Sequence, residues 1–190
     1  TGGTISSKQS AIQNWCVANI TGGTINGLLW TDGFVSEGVE YVGRTTIGEN
    51  ANFTGMVVMD ITSESVKPTL VINGGTLNVS RWNITTAAAK AGVKPEVSGG
   101  TFSSAVPEAY CAEGYVPKEN EGGTYGVTPA EGNAMVEVDG KKTYGDLVTL
   151  LKSAEAGQTV KVIKDNAEAA YIRVKTGVTL DLNGKKVMTE

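Results

Sequence analysis

Five times the chain writes two glycines in a row, and each time a threonine follows: Gly2-Gly3-Thr4, Gly22-Gly23-Thr24, Gly74-Gly75-Thr76, Gly99-Gly100-Thr101 and Gly122-Gly123-Thr124. The pairs are 20, 52, 25 and 23 residues apart, and 52 is two turns of 26. A phrase repeated with a period in the twenties is the mark of a solenoid, in which no coil can bury its apolar face alone and each must stack on a neighbour. Glycine pairs suit the corners of such coils. A corner needs positions that accept positive φ without a Cβ clash, and it must let the next coil approach to about 4.8 Å. An apolar or aromatic residue then restarts the strand after every threonine: Ile5, Ile25, Leu77, Phe102 and Tyr125.

Between these marks lie short runs bounded by turn residues and rich in Val, Ile, Thr and Tyr: "VEYV", "TTI", "MVVMDI", "TLVI" and "TLNVS". They read as strands. The expected fold is all-β, a single-stranded right-handed parallel β-helix with one short capping α-helix. At 190 residues, with 40% hydrophobic and 19% charged, the chain is long enough to bury a sizeable core and far from disordered composition. The net charge of -4 supplies no field to neutralise phosphates, which argues against a nucleic-acid partner. No run approaches eighteen apolar residues, so no membrane partner is expected and the chain reads as soluble. It begins at Thr1 without a basic or apolar leader, which reads as a piece of something longer.

Chemistry is sparse. There is no histidine, so the commonest general base and metal ligand is missing. Cys16 and Cys111 show no metal-ligand spacing and read as two buried thiols, a single disulfide being the alternative. No nucleophile elbow, zinc-protease motif, phosphate loop or EF-hand loop is present. Asp32, Glu37, Glu40 and Asp60 are the carboxylates of the repeat region, and no short spacing joins them into an acid/base pair. No catalytic residue, metal site or cofactor is expected. The candidate ligand-binding residues are Trp30, Trp15, Trp82 and Asp32. Exposed tryptophans stack on sugar rings, although most fill corners or core. Trp30 and Asp32 lie in "GLLWTDGF", which breaks the coil pattern and reads as a protruding loop.

From residue 134 the texture changes. Residues 1–127 read as coils, "TPAEGN" at 128–133 as a linker, and 134–190 as a capping helix with the first coils of a following or partner β-helix. The helix is placed with Thr143 as N-cap and Asp146 three residues on. Leu147, Leu150, Leu151 and Ala154 then share one face over about three turns, and Gly157 stops it. "VEVDGKKTY" and "VTLDLNGKKVM" admit a second reading as hairpins of a small α+β module, since DG and NG favour type I′ turns.

The phrases "LVINGGTLNVS", "KPEVSGGTFSSAVPEAYCAEGYVPKENEGGTYGV" and "GVTLDLNGKKV" resemble parallel β-helix repeat proteins on the surfaces of gut Gram-positive bacteria and in some of their phages. The resemblance covers most of the chain and is most specific from Val97 to Val127. It implies an extracellular place on the bacterial cell surface, or alternatively in a virion, and no particular activity. Such proteins act as rigid stalks or ligand-presenting surfaces. The fold also hosts polysaccharide-active enzymes. Glycans or a host surface are the implied ligands, and neighbouring copies the implied partners. In that family the cap and its coils begin a solenoid, while Val97–Val127 resembles an ending. Here the ending comes first. The chain therefore reads as a window on tandem modules or as a copy that joins its neighbours head to tail, unless the order is coincidental. Joining Glu190 to Thr1 gives text that reads as uninterrupted coils.

Overall fold

The computed structural model describes residues 2–165, 171–189 and the backbone of 167–169. The imagined seam at Glu190 and Thr1 lies outside them. The chain divides into two compact units, Thr1–Thr128 and Pro129–Glu190. No helix among the described residues is long and apolar enough to cross a membrane.

The first unit is a parallel β-helix of about three turns. Its strands are β1 (Thr4–Asn14), β2 (Val17–Ser36), β3 (Val39–Val42), β4 (Arg44–Ile61), β5 (Thr69–Ile84), β6 (Pro95–Phe102), β7 (Tyr115–Glu119) and β8 (Tyr125–Pro129). β1, β2, β4, β5 and β6 stack in parallel. Register partners lie 20 residues apart at Thr4 and Thr24, 28 at Asn26 and Thr54, and 25 at Ile72 and Val97. Like sits on like inside the coil. Ile20, Ile47, Ile72 and Val97 form one inward row, and Ile25, Phe53, Leu77 and Phe102 a second. A third runs from Leu29 through Val57 to Trp82. All but Trp82 are buried, because a strand shows alternate side chains to the interior and in-register stacking repeats that choice in every coil.

The glycine pairs divide their labour. In the second, third and fourth pairs the second glycine has positive φ: Gly23 at 88°, Gly75 at 93° and Gly100 at 103°. The first glycine makes room. A Cβ on Gly74 would lie 2.6 Å from Glu49 Cα of the preceding coil. The skipped period is filled by Asn50-Ala51-Asn52, in register with Gly22, Gly23 and Thr24. Gly122-Gly123 belongs to no coil, contrary to the expected period. It closes a turn between β7 and β8, and β8 runs antiparallel to β6 at Phe102 and Tyr125. A 3-10 turn at Glu108–Tyr110 precedes this reversal, and after it Cys111 still makes a parallel bridge to Val97, with Ala112 N donating to Val97 O at 2.9 Å.

The expected short helix is present, and a second joins it. α1 (Thr86–Lys90) follows β5, with Thr85 Oγ1 accepting from Ala88 N at 3.3 Å. One turn with a single buried residue, Ala88, carries no apolar periodicity to read. Cys16 is exposed rather than buried, Cys111 is buried, and neither is in a disulfide.

The second unit contains β9 (Ala134–Val138), β10 (Lys141–Gly145), α2 (Leu147–Ser153), β11 (Thr159–Val162), β12 (Ala167–Ala169), β13 (Thr179–Asp181) and β14 (Val187–Thr189). β9 and β10 form an antiparallel hairpin whose turn residues Asp139 and Gly140 both have positive φ, as DG promises. The NG turn does something else. β13 pairs in parallel with β11 and β14 with β12, each at an offset of 20 residues, so Asn183-Gly184 turns a coil corner. There Asn183 Nδ2 donates to Val162 O of the coil before at 3.2 Å. α2 has seven residues, about two turns, and Asp146 is its N-cap, accepting from Thr149 N at 2.9 Å. Thr143 is spent in β10, paired with Val136. Leu147, Leu150, Leu151 and Ala154 do share the buried face, packed with Val136, Val160 and Val162. Of the "TPAEGN" stretch, Thr128 closes the first unit, while Asn133 Oδ1 accepts from Leu147 N at 2.7 Å and Ala130 O from Lys164 Nζ at 3.0 Å within the second.

Replacing Gly75 by Ala should destabilise the first unit by about 2–3 kcal/mol, because positive φ is compounded by approach to Ala51 O at 2.8 Å. Gly122→Ala meets nothing within 4 Å and should cost only about 1 kcal/mol. Urea denaturation of the two variants measures the difference.

Candidate functional site

Trp30 and Asp32 do not protrude, since "GLLWTDGF" keeps the parallel register through Asp32, and a hairpin arm leaves the coil just after it. β2 runs past the coil and returns as antiparallel β3, pairing Gly33 with Val42, Phe34 with Tyr41, Val35 with Glu40 and Ser36 with Val39. Glu37 at φ 50° and Gly38 at 77° make the two-residue turn. At the base, Gly43 N donates to Asp32 O at 2.8 Å, and Thr62 N to Gly33 O at 2.9 Å. Only glycine fits at 43, since a Cβ there would meet Asp32 O and, closer still, Asn14 O.

Directly opposed on the arm, Phe34 and Tyr41 stack with centroids 4.7 Å apart and planes 12° from parallel. Trp15 meets Phe34 edge-on at 5.5 Å and 89°. These are favoured aromatic geometries that hold the rings as one platform. It faces solvent: Trp15 is 46% and Tyr41 38% exposed. Val39, on the same face of the arm as Tyr41 by strand alternation, is exposed as well. Beneath the arm a polar cluster fixes the coils. Asn14 Nδ2 donates to Thr45 Oγ1 at 2.9 Å, and the Thr31 and Thr45 hydroxyls lie 2.7 Å apart, all three residues being buried.

Trp15 thus belongs to the platform, while the other expected site residues do not. Trp30 stands in register between Gln13 and Val58, with its Nε1 buried and without a partner. Asp32, two residues on and so on the same side of β2, is 9% exposed, and its Oδ1 also lacks a partner. Trp82 lies apart, packed against Phe102 and Tyr110 as part of the wall of the core. Phe34 and Tyr41 went unread as site residues. The signal was in "FVSEGVEYV", two alternating runs around a Glu-Gly turn.

Stacking also joins carboxylates that no local spacing joins, for Asp32 lies in register with Asp60. The two differ in surroundings. Asp60 Oδ1 accepts from Ile61 N at 2.8 Å and from Thr85 Oγ1 at 2.6 Å, tying it to the cap of α1. Asp32 has its pKa raised above the usual carboxylate value, first by burial and further by the nearby charge of Asp60, against a lowering by the Gly33 backbone N–H. Among the described residues, no three His, Cys, Asp or Glu side chains gather closely enough to hold a metal ion. Comparison of the chain with family models, with curated proteins and with solved structures finds no match.

A carboxyl whose folded pKa is raised favours the native state while it is protonated. Below the ordinary value of 3.8 it is neutral in both states and costs nothing. As pH rises from that value through the folded one, the unfolded chain ionises while Asp32 in the native state must hold its proton or be charged in a buried site, and stability falls. Asp32→Asn should therefore raise the melting temperature at pH 7 by roughly 2–4 °C, equivalent to about 1 kcal/mol, with a smaller gain near pH 3. Thermal melts at the two pH values measure this.

Proposed function

We propose that the chain is a non-enzymatic structural and adhesive segment, a β-helical stalk that holds an aromatic arm out toward a ligand. The observation that carries this reading is the solvent-facing platform of Trp15, Phe34 and Tyr41 on a hairpin pinned to rigid coils. Flat aromatic surfaces of this kind suit the apolar faces of sugar rings, and a binding loop gains from a stiff scaffold because little order is lost on binding. The phrases resembling bacterial repeat proteins favour a place outside the cell, on a bacterial surface or alternatively in a virion. Glycans of a host or neighbouring surface are then the ligand class.

Incubation with a panel of neutral and acidic oligosaccharides tests this. Saturable binding is expected to at least one, weakened about tenfold by Tyr41→Ala or Trp15→Ala with the circular dichroism spectrum unchanged. Binding indifferent to both changes would remove the arm from the account. Release of new reducing ends, abolished by Asp60→Asn, would favour the polysaccharide-active alternative, for which the Asp32 and Asp60 register is the one supporting feature.

Copies are proposed to join head to tail. Among the described residues, β1, β13 and β14 are terminal strands of their sheets, and edges of this kind template strand addition. Sedimentation should show association that grows with concentration and is suppressed by Leu182→Lys, an exposed position beside β13. A strict monomer at high concentration would leave tandem modules as the better account.

A further inference from the structure

The second unit has a pocket of its own, about 300 Å³, built from two short pieces of chain. Val148, Leu151 and Lys152 come from α2, and Tyr171, Arg173 and Lys175 from the segment before β13. The spacings explain the convergence. Positions three and four apart share one side of a helix, and alternate positions share one side of an extended chain. Ile172, between Tyr171 and Arg173, packs instead against the core under α2. "VTLLK" and "YIRVK" therefore place three cations and one aromatic ring around a floor of Leu151 and Val148, without a carboxylate among the described lining residues.

Three of the chain's 16 cations on one small pocket, in a chain of net charge -4, are not scattered surface charge. Lys175 has a structural task, since its Nζ donates to Ala154 O, the C-cap carbonyl of α2, at 3.1 Å. That contact also fixes its ammonium at the rim. Lys152 and Arg173 have no hydrogen-bond or ion-pair partner among the described side chains. Tyr171 is 57% exposed. Like charges held together with no counter-charge among the described side chains repel one another, and an anion entering the pocket relieves that cost.

The same features narrow the anion. The volume is at the low end for ligand pockets and admits about one ring. α2 offers its C-terminal end, whose partial negative charge opposes a polyphosphate. The aliphatic floor and the tyrosine ring suit a ligand with an apolar face, and a guanidinium suits a planar carboxylate.

We propose that this pocket binds a carboxylate-bearing sugar residue, a hexuronic acid or a similar acidic sugar, with the carboxylate at Arg173 and Lys152 and the ring over Tyr171 and Val148. It is a site distinct from the arm and does not depend on it. Amide shifts of the whole chain, followed by NMR during titration with glucuronate, glucose and acetate at matched low ionic strength, test it. Glucuronate should saturate with a Kd of about 1 mM and move Lys152, Tyr171 and Arg173. Glucose, which lacks the charge, and acetate, which lacks the ring, should each bind at least about tenfold more weakly. Arg173→Gln and Lys152→Gln, both at exposed positions, should weaken glucuronate about five- to tenfold with the spectrum otherwise unchanged, while Trp15→Ala leaves it unaffected. Acetate binding as well as glucuronate would reduce the pocket to a patch of charge. An unsaturable response, or indifference to Arg173→Gln and Lys152→Gln together, would overturn the proposal.

Discussion

Everything in the first unit hangs on the parallel ladder between coils. Each strand takes its backbone partners from the strand one turn earlier and one turn later, so spacing between coils is fixed by hydrogen bonds near 4.8 Å. Side chains have no freedom to choose their neighbours. Ile20 must meet Ile47, Ile47 must meet Ile72, and Ile72 must meet Val97. The glycine corners follow from the same constraint: where the chain bends, Gly74 passes so near Glu49 that no side chain can intervene. Departures are equally constrained. Asn14, Thr31 and Thr45 put polar atoms into the interior, and they are tolerated because each finds another in a neighbouring coil.

What could be read in advance was whatever repeats. The double glycines announced the corners and their period, and the strand phrases announced the faces. Period alone did not say which glycine pair stands outside the solenoid. Gly122-Gly123 carries the same letters as the corners, and only the antiparallel return of β8 onto β6 separates it from them. Asp139-Gly140 and Asn183-Gly184 make the same point from the other side. Both adopt positive φ, yet one closes a hairpin and the other turns a corner. The difference lies in what the flanking strands find to pair with, and that is not a local property.

Site residues were legible in proportion to how local their contacts are. "GLLWTDGF" signalled a break in the coils, but its residues as far as Asp32 keep the parallel register and the excursion starts only at Gly33. The platform built on it needed Phe34 opposite Tyr41, which the turn between them encodes, and Trp15 from another part of the chain, which nothing nearby encodes. Asp32 and Asp60, 28 residues apart, are neighbours only through the ladder. The helix cap failed for a related reason: Thr143 and Asp146 are both acceptable caps by type, and the pairing of β10 with β9 decides between them by claiming Thr143.

The arm leaves the coil at Gly33 and rejoins it at Gly43, and the hydrogen bond from Gly43 N to Asp32 O spans the gap at 2.8 Å. Departure and return points are thus already as close as two residues of a closed loop. Lengthening the excursion costs little, since loop entropy grows only with the logarithm of length. The rows of the core run past beneath it, from Leu29 to Val57 and from Ile47 to Ile72, without drawing on any residue of the arm beyond its base. This corner is therefore a socket. Hairpins of other lengths and surfaces can be set into it while the stacked coils remain as they are.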